Sequence, residues 1–312
     1  MSDVLNWLLD SDPAIRWQVL RDLTDSTSDE VSAERARVAR EGWGAQLLSL
    51  QDESGHWGGE EYSQDWTTTT HTLVFLRLLG IDPRADEVRT AIGKVRNRVV
   101  WSEWGRRPFF TGEVETCING MVLALAAYFD QIPASDGLLQ KLLTEQLEDG
   151  GWNCLAPAES TRSSFHTTMT LLEALLEYEQ SVGAHPVVTA ARRRGEEYLL
   201  DRRLMRRLST GQIINPNWLQ CHFPPRWRYD VLRALDYLQA SGRPPDERCR
   251  EAVDLLVQKR RPDGRWPLDS RYDGAVYFHV DGEPGEPSRW NTLRALRVLR
   301  WFNPALEPAV AR

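Results

Sequence analysis

The chain has 312 residues, 41% hydrophobic and 27% charged, with a formal net charge of -7, a globular composition with enough length for a sizeable core. That charge excludes a general nucleic-acid binder, which needs a basic surface, and no apolar run approaches the roughly 20 residues of a membrane span. The stretch Met1 to Trp7 lacks the basic flank and apolar run of a signal peptide, so a cytoplasmic location is expected.

In chain order, Asp12-Pro13 reads as an N-cap followed by proline at N1, opening an apolar helix through Arg16 to Leu23. A more polar helix is predicted over Val31 to Leu50, and it ends in the loop Gln51-Asp52-Glu53-Ser54-Gly55-His56-Trp57. The pattern then recurs. Apolar helices are predicted at Thr67 to Leu79, Glu115 to Tyr128, Ser163 to Tyr178, from Arg226 through Leu235, and from Arg289 to Phe302. Polar helices alternate with them at Ala85 to Val99, Asp136 to Glu148, Pro186 to Arg207 and Asp246 to Lys259. Two further loops, Gln146 to Trp152 and Gln258 to Trp266, repeat Gln, polar residues, Gly, one residue and Trp. Degenerate versions lie around Trp101 to Gly105 and Leu204 to Trp218, which gives a period near fifty residues, two helices per repeat.

Apolar positions recur at three and four residues in all six apolar helices. No segment sustains period-two alternation; Ala275 to Val280 reads as a strand or an extended loop. The expected fold is therefore all-α: an (α/α)6 toroid of six helical hairpins in inner and outer layers, one domain over residues 1–312. The N-terminal ends of its inner helices would surround one mouth of the central hole.

The Gln…Gly-x-Trp loops resemble the repeated Gln-Trp motifs of the α/α-toroid superfamily of squalene–hopene cyclases and protein prenyltransferase β subunits. In that superfamily the prenyltransferases hold zinc with Asp-x-Cys at one inner-helix start and a His at a later one. Glu115-x-Cys117 followed by His166 resembles that arrangement, with glutamate one methylene longer than aspartate. The cyclases' protonating Asp-x-Asp-Asp is absent. The prenyltransferases also work with an α subunit, and the sequence shows no such partner domain, so any protein partner is unassigned.

The residues themselves point the same way. Four cysteines (Cys117, Cys154, Cys221 and Cys249) are too few for a disulfide scaffold, which leaves thiols for metal or chemistry. Cys117 and His166 share a register on neighbouring inner helices and are the leading Zn2+ ligands, with Cys154, Glu115 and His222 competing for the remaining positions. The bland alternative is that Cys117 packs, Cys154 is incidental and His166 caps its helix. His71, two residues deeper, reads as a core histidine.

Around the mouth, Arg162, Arg226, Arg228 and Arg289, with Arg16, form a candidate anion grip, or else a set of structural pairs between hairpins. Trp66, Phe165, Trp227 and Trp290, with Tyr229, form a candidate apolar lining, or else a seal between hairpins. Asp230 is a candidate general acid or base, with Tyr229 beside it. The expectation is a zinc-dependent toroid enzyme acting on a small apolar or isoprenoid substrate in the central cavity, by alkyl transfer or addition. Three alternatives remain open: a lanthionine-cyclase-like thiol addition using Cys221-His222 with Cys154, a metal-free terpene cyclase, and a non-catalytic hydrophobic-ligand carrier.

Overall fold

The computed structural model describes residues 3–103, 105–113 and 115–306. Its α-helices run Asp3–Leu9 (α1), Pro13–Leu23 (α2), Ser28–Arg37 (α3), Gly42–Ser49 (α4), Thr69–Leu79 (α5), Asp86–Arg98 (α6) and Thr116–Tyr128 (α7). They continue as Asp136–Thr144 (α8), Phe165–Val182 (α9), Pro186–Asp201 (α10), Val231–Ala240 (α11), Arg250–Lys259 (α12) and Arg289–Phe302 (α13). The only strands among the described residues are two antiparallel pairs, Val100–Trp101 with Arg107–Pro108 and Trp266–Pro267 with Pro287–Ser288.

Helices α2, α5, α7, α9, α11 and α13 form the inner ring of an α/α toroid, and α13 packs back on α2 to close it. Between α2 and α5, the Trp17 indole donates to the Leu79 carbonyl at 2.9 Å. From α11 to α9, Arg233 donates twice to Glu173, at 2.8 Å each.

The repeated loops explain why the hairpins stack. The indoles of Trp57, Trp152 and Trp266 are buried and donate to Leu47, Leu142 and Leu256, each ten residues back, at 2.6, 2.8 and 2.7 Å. Those carbonyls lie near helix C-termini, where the last four have no intrahelical partner. The Trp amides donate to Thr69, Thr168 and Thr292 of the following inner helix. Gln51 and Gln146 donate both within their own loop and to the next outer helix, at Ala91 and Ala191. Gly150 turns the loop at φ +97°, and a Cβ there would meet the Arg194 carbonyl at 2.6 Å, so only glycine fits.

Three predicted elements differ. The Val31 to Leu50 segment is two helices, because Gly42 (φ +61°) turns the chain tightly against Asp12, whose Oδ2 accepts from the Trp43 amide at 2.8 Å. The helix from Pro186 ends at Asp201, and Arg203 and Leu204 adopt positive φ. The fifth inner helix begins at Val231; Arg226 precedes it at φ 57°, and Asp230 is its N-cap. Ala275 to Val280 is an extended loop whose first residue accepts from the Trp66 amide and donates its own amide to the Asp65 carboxylate. No described helix is long and apolar enough to cross a membrane.

Candidate functional site

Three of the sequence candidates meet where α7 and α9 begin. A carboxylate oxygen of Glu115 and the Sγ atoms of Cys117 and Cys154 all lie within 4.8 Å of one another. Glu115 is exposed and both cysteines are half-buried, so the cluster opens to solvent at the mouth. Each arrives by a local rule. Glu115 is the N-cap position of α7, which sets Cys117 in its first turn. Cys154 follows the Trp152 clip, two residues beyond the indole that anchors the loop.

The Cys154 sulfur sits between two helix starts. It accepts from the Cys117 amide at 3.2 Å and lies 3.4 Å from the Thr167 hydroxyl. The Cys117 thiol is 3.7 Å from Glu115 Oε2. The Cys117 thiol holds Cys154 below the usual thiol range against the opposing pull of burial, helped by Thr167 and the Cys117 amide. The neighbouring sulfur and burial push Cys117 above that range. A thiolate is favoured at helix N-termini.

The donor set fits zinc. Tetrahedral zinc with bonds of about 2.3 Å to sulfur needs sulfur atoms about 3.8 Å apart, within the observed separation limit. Two thiols and one carboxylate leave a fourth position, as in catalytic rather than structural sites.

The two histidine candidates stand apart from this cluster. The Nδ1 of His166 accepts from the Tyr229 amide at 2.8 Å, and its ring meets Trp218 and Trp227 edge-on. Its register is right, but the α9 side chain facing Cys154 is the next one, Thr167. Burial, with the charges of Arg233 and Arg228, pushes His166 down to about 4. His222 lies on the entry loop of α11, stacked on Tyr272, with Nε2 2.8 Å from Ser270 Oγ and Nδ1 3.8 Å from Asp230 Oδ2. Cys221 is fully buried, and no described cluster joins Cys221, His222 and Cys154, so the lanthionine-type ligand set is not assembled.

The arginines do not form one ring. Arg16 is tied to Glu34 at 2.6 Å, and Arg289 donates to the Trp7 and Asp10 carbonyls. Arg162 is exposed, and Arg228 covers Trp227 and Tyr272. Arg226 differs: its guanidinium lies 4.8 Å over Trp66 and 5.8 Å from Phe75, and burial lowers its pKa to about 9. Trp66 and Tyr62 both face His71, with ring centroids 4.8 and 4.9 Å away. This aromatic patch leads toward the thiols, whose charge, after burial itself, pushes the Tyr62 hydroxyl up.

Of the remaining aromatics, Trp290 is buried and stacked on Phe223 at 4.3 Å. Phe165 and Tyr229 pack on each other and on Trp218 behind the α9 start, and the Tyr229 hydroxyl donates to the Leu204 carbonyl. Phe165, Tyr229 and Trp290 therefore seal the layers. Trp227 remains at the mouth beside His166. Asp230 is completely buried; its Oδ1 accepts from the Arg233 amide at 2.8 Å, capping α11.

The central hole adds buried charge to the expected apolar chamber. Its cavity of about 200 Å³ is lined by Arg77, Glu173, Glu177, Arg233, Asp236 and Arg294 among others. Arg77 reaches across from α5 to Glu177 at 2.7 Å, Glu173 binds Arg233, and Arg294 binds Asp236 at 3.2 Å. Arg297 bridges Asp236 at 3.9 Å and Asp22 at 2.6 Å, extending the second group of pairs to α2. Burial alone would raise Glu173, yet Arg233 and Arg77 hold it below the usual carboxylate range. Charges at this depth persist because they are paired. Between the ion pairs the same cavity is lined by Leu78, Leu176, Phe223, Pro225 and Trp290, so it carries apolar surface as well as charge.

Thr167, Tyr62 and the bore ion pairs were not legible as site residues. A usable signal existed for the bore: Arg77, Glu173, Glu177, Arg233, Arg294 and Arg297 interrupt otherwise apolar helices at similar depth.

No family model matches the sequence, and no curated protein does. Among solved structures, a polysaccharide lyase aligns over 96% of this chain and 92% of its own at 11% identity, with a TM-score of 0.50. A family 88 glycosyl hydrolase from Bacteroides vulgatus aligns over the same shares at 9% identity and 0.50. The type II terpene cyclase MstE from Scytonema aligns over 92% and 86% at 16% identity and 0.40. The fold is the α/α toroid, and a fold shared at such identities does not fix a reaction.

Proposed function

We propose that this protein is an enzyme that holds zinc with Glu115, Cys117 and Cys154 at the toroid mouth and catalyses alkyl transfer or addition between an apolar, isoprenoid-like electrophile and a thiol. The carrying observation is the meeting of one carboxylate and two thiols within 4.8 Å at a solvent-open junction of two helix N-termini. When bound, zinc would supply Lewis acidity and lower the pKa of a thiol at its open position.

The chain's own groups have distinct tasks. The Cys117 amide and Thr167 hydroxyl orient the Cys154 sulfur. Tyr62 and Trp66 lie in the aromatic patch around His71 and Trp227 lies beside His166; these rings are the apolar surface that would hold the substrate at the mouth. Arg226, which makes no ion pair among the described residues, is placed to balance an anionic leaving group.

Elemental analysis of the purified or zinc-reconstituted protein is the direct test. The expected result is near one zinc per chain, lost in a Cys117→Ala/Cys154→Ala double variant and kept in Cys249→Ala. Incubation with isoprenoid diphosphates and a small thiol, read by mass spectrometry, should give a thioether. Absence of bound zinc, or retention of zinc by the double variant, overturns the metal site. Zinc without thioether formation overturns the substrate class.

A further inference from the structure

A second cluster of reactive side chains lies where the loop entering α11 meets the loop that follows α12, apart from the proposed zinc ligands. Its geometry is set by a pairing between two loops. The Asp269 amide donates to the Cys221 carbonyl at 3.1 Å, and the Cys221 amide donates to Asp269 Oδ2 at 2.7 Å. Lys259 fixes the same carboxylate at 2.7 Å. The next residues of each loop, His222 and Ser270, are therefore held side by side, with His222 Nε2 2.8 Å from Ser270 Oγ. The Arg294 guanidinium holds the His222 carbonyl at 3.2 Å, and Tyr272 stacks on the imidazole at 4.3 Å between centroids.

On the other side of the imidazole, Nδ1 faces Asp230 Oδ2 at 3.8 Å. Both atoms are buried and neither has a hydrogen-bond partner among the described residues. Two such orphans facing each other fix the tautomer. A proton on Nδ1 points at the carboxylate, whereas a bare Nδ1 would set two acceptors together. Nε2 is then the acceptor, and Ser270 is its donor. Ser270 Oγ lies 2.8 Å from Gln220 Oε1 and donates to it in this amide orientation; turning the amide over presents NH2 to the serine oxygen and leaves the Ser270 proton for Nε2.

We infer that Ser270, His222 and Asp230 form a serine acyl-transfer centre for carboxylic esters. The separation of 3.8 Å exceeds a hydrogen bond, and such contacts tighten when substrate binds. Ser270 Oγ attacks the ester carbonyl and its proton passes to His222 Nε2. The acyl–oxygen bond breaks, and the departing alkoxide takes that proton as the alcohol. Water repeats the sequence, releasing the carboxylic acid and restoring Ser270. Ser270 is half-buried, on a loop without regular structure. The amides of Arg271 and Tyr272 make no hydrogen bond among the described residues, leaving donors for the developing oxyanion. Asp230 is a positioning residue, acting through His222.

The test is a fluorophosphonate probe applied to the full chain, with the adduct mapped by peptide mass spectrometry. One adduct at Ser270 is expected, abolished in Ser270→Ala and His222→Gln. Asp230→Asn keeps the oxygen that caps α11, so it should stay folded by thermal melting while labelling slows at least tenfold and its pH profile shifts. Absence of an adduct on wild-type protein, or an adduct retained in Ser270→Ala, overturns the assignment. So does Asp230→Asn labelling with the wild-type rate and pH profile.

Discussion

The amide of Cys117 donates to the sulfur of Cys154 across 3.2 Å, joining the start of one inner helix to the loop that enters the next. The Cys117 thiol, against the opposing pull of burial and helped by the Thr167 hydroxyl and this amide bond, makes Cys154 the more acidic sulfur of the pair. In chelator-treated protein, iodoacetamide should therefore modify Cys154 first. Cys221 and Cys249 are buried, and burial pushes Cys249 up to about 12, so both should stay unmodified until unfolding. Added zinc should protect Cys154. Time-resolved peptide mass spectrometry reads all three outcomes, and equal rates at the four cysteines would refute the ordering.

The charged bore should dominate stability. Glu173 accepts two bonds from Arg233 and lies 3.7 Å from Arg77. A Glu173→Ala change leaves the buried Arg233 guanidinium without its carboxylate while Arg77 keeps Glu177, and removing one member of a buried pair costs about 3–5 kcal/mol. Urea unfolding of Glu173→Ala, Arg233→Ala and the double variant checks this. The double variant should lose less than the sum of the singles.

His71 predicts a pH dependence. Burial, with the charge of Arg226, pushes its pKa down to about 4, whereas an unfolded chain titrates it near 6.5. Between those values the unfolded state binds a proton that the folded state refuses, so stability falls as pH drops from about 6.5 toward 4. The loss attributable to His71 is about 3 kcal/mol at most. Denaturant melts at several pH values should show a shallower acid slope for His71→Gln than for wild type.

The tryptophan clips carry a fourth expectation. Replacing Trp152 with Phe removes the indole donor to the Leu142 carbonyl and leaves that buried acceptor unpaired. The cost should be about 2–3 kcal/mol, seen in thermal or urea melts. Leu155→Ala, on an exposed side chain one residue beyond Cys154, should change stability by less than about 0.5 kcal/mol.

The pattern of repeats made the ring legible, because each Gln…Gly-x-Trp loop is a local device whose partners lie one hairpin away. Trp152 finds Leu142 ten residues back, and Gln146 finds Ala191 in the next outer helix. Register alone could not orient side chains around an inner-helix start. His166 and Thr167 are adjacent, yet Thr167 faces Cys154 while His166 accepts from Tyr229. A rotation of about 100° per residue separates those two directions, and only packing between helices selects which one faces the loop.

The sequence by itself determined the helical periodicity, the alternation of layers and the clip residues, because these depend on spacing within one or two repeats. The tertiary structure decided which reactive groups meet. Glu115, Cys117 and Cys154 converge through the α7–α9 junction, and Ser270 reaches His222 across 48 residues. It also decided that the bore is charged, since Arg77 and Glu177 are 100 residues apart and become a pair only when the ring closes.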